Sequence, residues 1–230
     1  MTLVFDAPAP VLAPVADGRS YPVGRVFCIG RNYAAHAREM GKDPTREAPF
    51  FFTKWASTVV PTGTTIAYPS ETSNFHYEAE LVVAIGKGGR NIAEADALDH
   101  VFGYATGLDM TRRDLQLEAR DKGRPWDTGK NVEQSSPLGL IHTVDEVGHL
   151  PTGRIALTVD GEVKQDADLA DLIWSVDEVI AYVSRFYTLE PGDLIYTGTP
   201  AGVGAVLPGN VVTVTVAGLS DCTVTIGEKA

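Results

Sequence analysis

Glu78 and Glu80 stand two residues apart at the head of the apolar run 78–85, EAELVVAI. On a strand, side chains at i and i+2 share one face, so both carboxylates point the same way. Like charges that close repel, and burial adds to the cost. A bound divalent cation resolves the conflict, and Asp109, at the end of a second apolar run, offers a third oxygen. Three carboxylates without a cysteine select a hard ion such as Mg²⁺, Mn²⁺ or Ca²⁺. By spacing alone the commoner reading is two solvated acids on a strand edge and an Asp capping a helix. His76 offers an alternative ligand for iron or zinc.

Other groups nearby in sequence carry the same two readings. His36 and Glu39 are three apart on the expected helix 33–40, so their side chains can meet. A carboxylate beside an imidazole fixes its tautomer and raises its basicity, as a general base requires. By itself the pair reads more readily as a polar helix face. Arg112, Arg113 and Asp114 form either a solvated charge cluster or an anion clamp. Lys130, in DTGKN, is a surface lysine by default. Beside a carboxylate-bound metal it would hold an anionic substrate. Residues 197–202, TGTPAG, offer backbone N–H groups that could cradle a carboxylate, or form an ordinary tight turn. No Walker loop, GxGxxG after a strand or GxSxG elbow is present.

The elements that must position these groups are mostly strands. Runs at 26–29, 50–53, 65–67, 78–85 and 101–108 read as strands, and 111–120 as a helix. Asp160-Gly161 between 155–159 and 162–165 predicts a hairpin with a type I′ turn. Ser175 and Glu178 fit a capping box before Val176, Val179, Ile180, Val183 and Tyr187, an amphipathic helix. Alternation over 212–216 and 222–226 predicts two final half-buried strands. The expected fold is α+β, mainly β, and not doubly wound. Residues 1–22, with four prolines, read as an extended N-terminal arm. Residues 23–230 read as a single domain without linker or repeat.

Composition narrows the class. The 230 residues are 44% apolar and 21% charged, with a formal net charge of −11. The acidic balance argues against a nucleic-acid partner. The N-terminus lacks a signal-peptide pattern and no run is long enough for a membrane span, so a cytoplasmic protein is expected. Cys28 and Cys222 sit in apolar runs and read as buried thiols in a reducing compartment.

Five segments fall in an order that resembles the fumarylacetoacetate hydrolase family, in its acylpyruvase branch. They are GRNYAAHAREM (30–40), HYEAELVVAIGKGGR (76–90), GYATGLDMTRRDLQ (103–116), GRPWDTGK (123–130) and LEPGDLIYTGTPAGVG (189–204). The wording of GRNYAAHAREMG, GLDMTRRD and GRPW is similar to that of bacterial members acting on fumarylpyruvate in aromatic-compound catabolism. The resemblance implies a rolled, mixed β-sheet assembly with peripheral helices, usually a homodimer. It implies Mg²⁺ or Mn²⁺ on Glu78, Glu80 and Asp109, and His36 with Glu39 as a water-activating dyad on a short lid helix. It implies that Lys130, Arg113 and Gln116 line the substrate site and that Gly198-Thr199 hold its carboxylate. The implied activity is hydrolysis of the C–C bond of an acylpyruvate, a 2,4-diketo acid, with fumarylpyruvate giving fumarate and pyruvate. Oxaloacetate decarboxylation, or isomerisation and decarboxylation of 2-hydroxyhepta-2,4-diene-1,7-dioate, would use the same metal enolate. A non-catalytic β-rich metal-binding module is the rival from another class; it predicts an exposed carboxylate site without a closed pocket. Two departures from the family wording, Trp55 after Lys54 and Asn131-Val132 after Lys130, place any difference at the acyl end of the pocket.

Overall fold

The computed structural model describes residues 3–34 and 47–230. A curled, mixed sheet forms its centre, in the order Phe50–Trp55, Arg25–Gly30, Leu194–Tyr196, Ala79–Ile85, Val101–Leu108, Ser136–Leu138, Val59–Pro61. A second sheet of five strands runs Glu162–Asp168, Arg154–Val159, Val211–Val216, Cys222–Lys229, Thr65–Tyr68. The α+β, mainly β expectation holds.

Side-chain alternation explains how the layers stack. Phe27, Ile29, Leu81, Val83 and Ile85 face Ile155, Leu157, Val212, Val214 and Val224 of the five-stranded sheet in one core. Val26, Cys28, Val82 and Ala84 point to the other face and join a second core. The strand Ala79–Ile85 is therefore buried on both sides, which is why it reads as an unbroken apolar run.

That second face needs a cover, and residues expected as an extended arm supply it. Val11–Pro14 and Ser20–Val23 pair antiparallel, and Ala13, Val15, Tyr21 and Val23 pack into the second core. Tyr21 Oη donates to the carbonyls of Ile85 and Asp193 at 2.8 and 2.9 Å. The proline-rich composition hid a short period-two pattern, with Leu12 exposed and Ala13 buried.

The expected turns and caps are present. Asp160 and Gly161 both have positive φ, 51° and 84°, as a type I′ turn demands. The capping box of Ser175 and Glu178 starts the helix Val176–Phe186, which buries Val179, Ile180 and Val183. Tyr187, expected on the same stripe, lies just past its end and is exposed. The helix expected over 111–120 begins later, as Arg113–Asp121, because Thr111–Arg112 pairs with Phe75–Tyr77.

Asn32 joins three segments from a buried position. Its Nδ2 donates to the carbonyls of Trp174 and Thr197 at 2.8 Å, and its Oδ1 accepts from Trp174 N at 2.8 Å. Asn32→Ala leaves these backbone groups without partners. Urea denaturation is expected to show a loss of roughly 2–4 kcal/mol; a loss below about 0.5 kcal/mol would show that water replaces the amide.

Candidate active site

Strand register creates the acidic cluster. Ala79 pairs with Leu108 and Glu80 with Gly107, so the next residue on each strand, Glu78 and Asp109, meet beyond the ladder. Asp109 N donates to the Glu78 carbonyl at 2.9 Å, which closes that end. Glu78, Glu80 and Asp109 are all buried, and one carboxylate oxygen from each lies within 4.8 Å of the others. Three converging carboxylates are the donor set a hard divalent cation needs, so the residues present fit Mg²⁺ or Mn²⁺. Among the described residues His76 is outside this group: its Nε2 bonds Asn74 Oδ1 at 2.8 Å and its Nδ1 accepts from Arg113 Nε at 3.4 Å. Burial, then the Arg113 charge, lowers the His76 pKa to about 4, so the ring is neutral.

Three cations balance the three acids. Lys130 Nζ donates to Glu78 Oε2 at 2.7 Å and to Asp109 Oδ2 at 2.6 Å. Lys54 Nζ donates to Asp109 Oδ1 at 2.7 Å and to the Ser135 carbonyl at 2.8 Å. Arg113 pairs through Nη2 with Glu78 Oε1 and through Nη1 with Gln116 Oε1. Lys130 is thus no surface lysine; it closes the short helix Asp127–Lys130 and is 2% exposed. Burial works against its charge, but the Asp109 and Glu78 carboxylates outweigh it and hold its pKa above the ordinary lysine value. Among the described residues no cation pairs with Glu80. Burial first, and the Asp109 and Glu78 charges second, push its carboxyl well above the ordinary range.

The Gly198 N–H, expected to take a substrate carboxylate, donates instead to Glu80 Oε2 at 2.7 Å. Thr199 remains on the cleft wall, and its Oγ1 accepts from Gln165 Nε2 at 2.9 Å. The same Gln165 accepts from Ala79 N, between the two glutamates, at 2.9 Å.

A partly enclosed cleft sits over this cluster. Lys130, Arg113, Gln116 and Thr199 line it together with the three carboxylates. Phe50, Phe52 and Trp126 form an aromatic wall, with Trp126 5.2 and 5.8 Å from the two phenyl rings. A buried triad beneath a cleft differs from the exposed carboxylates that a non-catalytic module predicts. His36 and Glu39 lie outside the described residues.

Lys54 and Gln165 were not among the sequence candidates. A lysine within the aromatic strand FFFTKW is a legible signal, since burying it demands a partner. Gln165 lies in EVKQDAD, a hairpin strand with no sign that one amide turns inward.

The sequence pattern described as fumarylacetoacetate (FAA) hydrolase C-terminal matches residues 25–227. The chain belongs to the fumarylacetoacetate hydrolase family. A family relative from Ralstonia sp, fumarylpyruvate hydrolase, is 52% identical over 185 residues, 80% of this chain and 96% of its own. The mitochondrial oxaloacetate decarboxylase of Dictyostelium discoideum is 42% identical over 196 residues, 85% of this chain and 89% of its own. The crystal structure of fumarylpyruvate hydrolase from Pseudomonas aeruginosa, in complex with Mn²⁺ and pyruvate, has a TM-score of 0.97 and 51% identity. That alignment covers 99% of this chain and 100% of that one.

The raised Glu80 pKa has a thermodynamic sign. A folded value above the unfolded one means the metal-free fold binds the proton more tightly than the unfolded chain does. Metal-free protein therefore loses stability as pH rises from the ordinary glutamate range toward the raised value. With chelator near neutral pH, Glu80→Gln is expected to melt higher than the wild type. Mn²⁺ at about 100 times its Kd stabilises the wild type by about 2.7 kcal/mol, and is expected to lift the variant far less. A variant that melts lower in chelator would contradict the raised pKa of Glu80, and one that responds fully to Mn²⁺ would show that Glu80 does not hold the metal.

Proposed function

We propose that this protein hydrolyses the C–C bond of an acylpyruvate, with fumarylpyruvate giving fumarate and pyruvate, using Mg²⁺ or Mn²⁺ held by Glu78, Glu80 and Asp109. The observation that carries the reading is the charge balance of the buried cluster. Lys54, Arg113 and Lys130 offset the three carboxylates, so a bound divalent cation leaves the site with two positive charges. An anionic 2,4-diketo acid suits that field better than a neutral substrate, whatever the global charge of −11. The 52% identity with a fumarylpyruvate hydrolase supports the same substrate class.

When bound, the cation supplies Lewis acidity toward the enolate charge that builds up on the pyruvate fragment as C3–C4 breaks. His36, oriented by Glu39, takes the proton of the water that attacks the C4 carbonyl. Lys130 Nζ, kept charged by its two carboxylates, stabilises the oxygen that becomes negative at C4. Arg113 and Gln116 orient the keto-acid end. Thr199, whose Oγ1 already accepts from Gln165, retains its own hydrogen for a substrate oxygen. Collapse releases the carboxylic acid and enolpyruvate, which takes a proton to become pyruvate.

Oxaloacetate decarboxylation is the second reading, favoured by the 42% identity with an oxaloacetate decarboxylase. A homodimer and a cytoplasmic setting belong to the proposal. The family resemblance supports the dimer. Two buried, unpaired cysteines, Cys28 and Cys222, support a reducing compartment. No described helix is long and apolar enough to cross a membrane.

Loss of acylpyruvate absorbance on adding protein with Mn²⁺ tests the activity, and chelator should abolish it. Hydrolysis needs an activated water, whereas carbon dioxide leaves oxaloacetate without one. His36→Ala is expected to slow acylpyruvate hydrolysis by roughly 10²–10⁴-fold and any oxaloacetate decarboxylation much less. Hydrolysis at the wild-type rate in His36→Ala would show that the dyad is not the base. Light scattering at micromolar concentration should give twice the 24.6 kDa chain mass; a monomer mass contradicts the dimer.

A further inference from the structure

The cations along the cleft are not equally engaged. Arg113 and Lys130 are held by the metal-site carboxylates, and Arg120 pairs with Asp121 at 2.9 Å. Arg31 lines the same cleft, and among the described residues no carboxylate pairs with it. Its guanidinium carbon stands 5.0 Å from the centre of the Phe50 ring. Phe50 is itself fixed edge-on by Trp126 at 5.2 Å. Gly30 makes this perch possible: a Cβ there would come within 2.1 Å of the Phe50 ring. Arg31 also has φ 58°, the left-handed region that is costly for a residue with a long side chain. Such outliers persist where the surrounding structure holds them, and they cluster at ligand sites.

We infer that Arg31 is a specificity-determining residue that binds the carboxylate at the far end of the acyl chain, so the enzyme selects acylpyruvates bearing a second acid group. This rests on the acylpyruvate reading above. A guanidinium held over an aromatic ring can still offer its N–H groups to a bidentate carboxylate, and the ring reduces the freedom it must lose on binding. The aromatic wall of Phe50, Phe52 and Trp126 suits a flat, conjugated acyl chain between the two charged ends.

The test compares fumarylpyruvate with acetylpyruvate, which has no distal acid, in the Mn²⁺-loaded enzyme. Arg31→Asn removes the charge with a residue that tolerates the left-handed backbone. It is expected to lower kcat/KM for fumarylpyruvate about 100-fold, mainly through KM, and that for acetylpyruvate less than about threefold. Arg31→Lys keeps the charge without the fork and should fall between. Calorimetry gives a readout apart from turnover: the wild type should bind fumarate more tightly than crotonate, and Arg31→Asn should bring the two level. Equal losses on both substrates, or none on either, overturn the assignment while acylpyruvate cleavage stands. A wild type that cleaves neither substrate overturns the reaction itself, and this assignment with it.

Discussion

Three buried carboxylates that converge within 4.8 Å cannot coexist without compensation, and much of the site follows from that. Each oxygen that is satisfied draws a group from a different part of the chain. Lys54 comes from the strand Phe50–Trp55, Arg113 from the helix Arg113–Asp121, Lys130 from the next short helix, and the Gly198 N–H from the loop after Leu194–Tyr196. The cluster thus ties together the strands and helices that wall the cleft. Glu80 has no paired cation among the described residues, and burial with the neighbouring Asp109 and Glu78 charges raises its pKa well above the ordinary range.

The double-faced central sheet is what allows such a cluster to be dry. Ala79–Ile85 is covered on one side by the five-stranded sheet and on the other by a core that includes the N-terminal hairpin. Burial lowers the local dielectric, which strengthens both the repulsion among the acids and their attraction to lysine, arginine or a divalent ion. Covering both faces and concentrating charge at the strand ends are therefore two parts of one arrangement. The hairpin, which does not line the cleft, contributes by shielding the sheet that carries Glu80 and ends at Glu78 and Asp109.

The cleft brings unlike chemistry together. Its lining includes the carboxylates and their cations, a set suited to a hard ion, and the rings of Phe50, Phe52 and Trp126. Lys130 Nζ stands 5.1 Å from the centre of the Phe52 ring, and the Arg31 guanidinium lies over Phe50. The family relatives include enzymes whose names refer to fumarylpyruvate and to oxaloacetate. A common metal-enolate end with a variable acyl end is a physical way for one fold to serve both, because the bond broken depends on what lies beyond the keto acid.

Periodicity carried much of the fold in the sequence itself. The alternation of Val212, Val214 and Val216, the Asp160-Gly161 turn, and the box of Ser175 and Glu178 are local codes, decided by backbone geometry within a few residues. The same local rule put Glu78 and Glu80 on one face. Spacing could not show that the face was buried, and without the family wording it favoured solvated acids. Tertiary structure decided the rest. Asp109 joins the pair only through the antiparallel register, Lys54 and Lys130 only because distant elements fold over the acids, and Gln165 only because its hairpin turns inward. The N-terminal hairpin, hidden by its prolines, became necessary once a second sheet face needed covering. Charge pairing and burial are properties of atoms close in space, and the chain brings those atoms together from positions more than fifty residues apart.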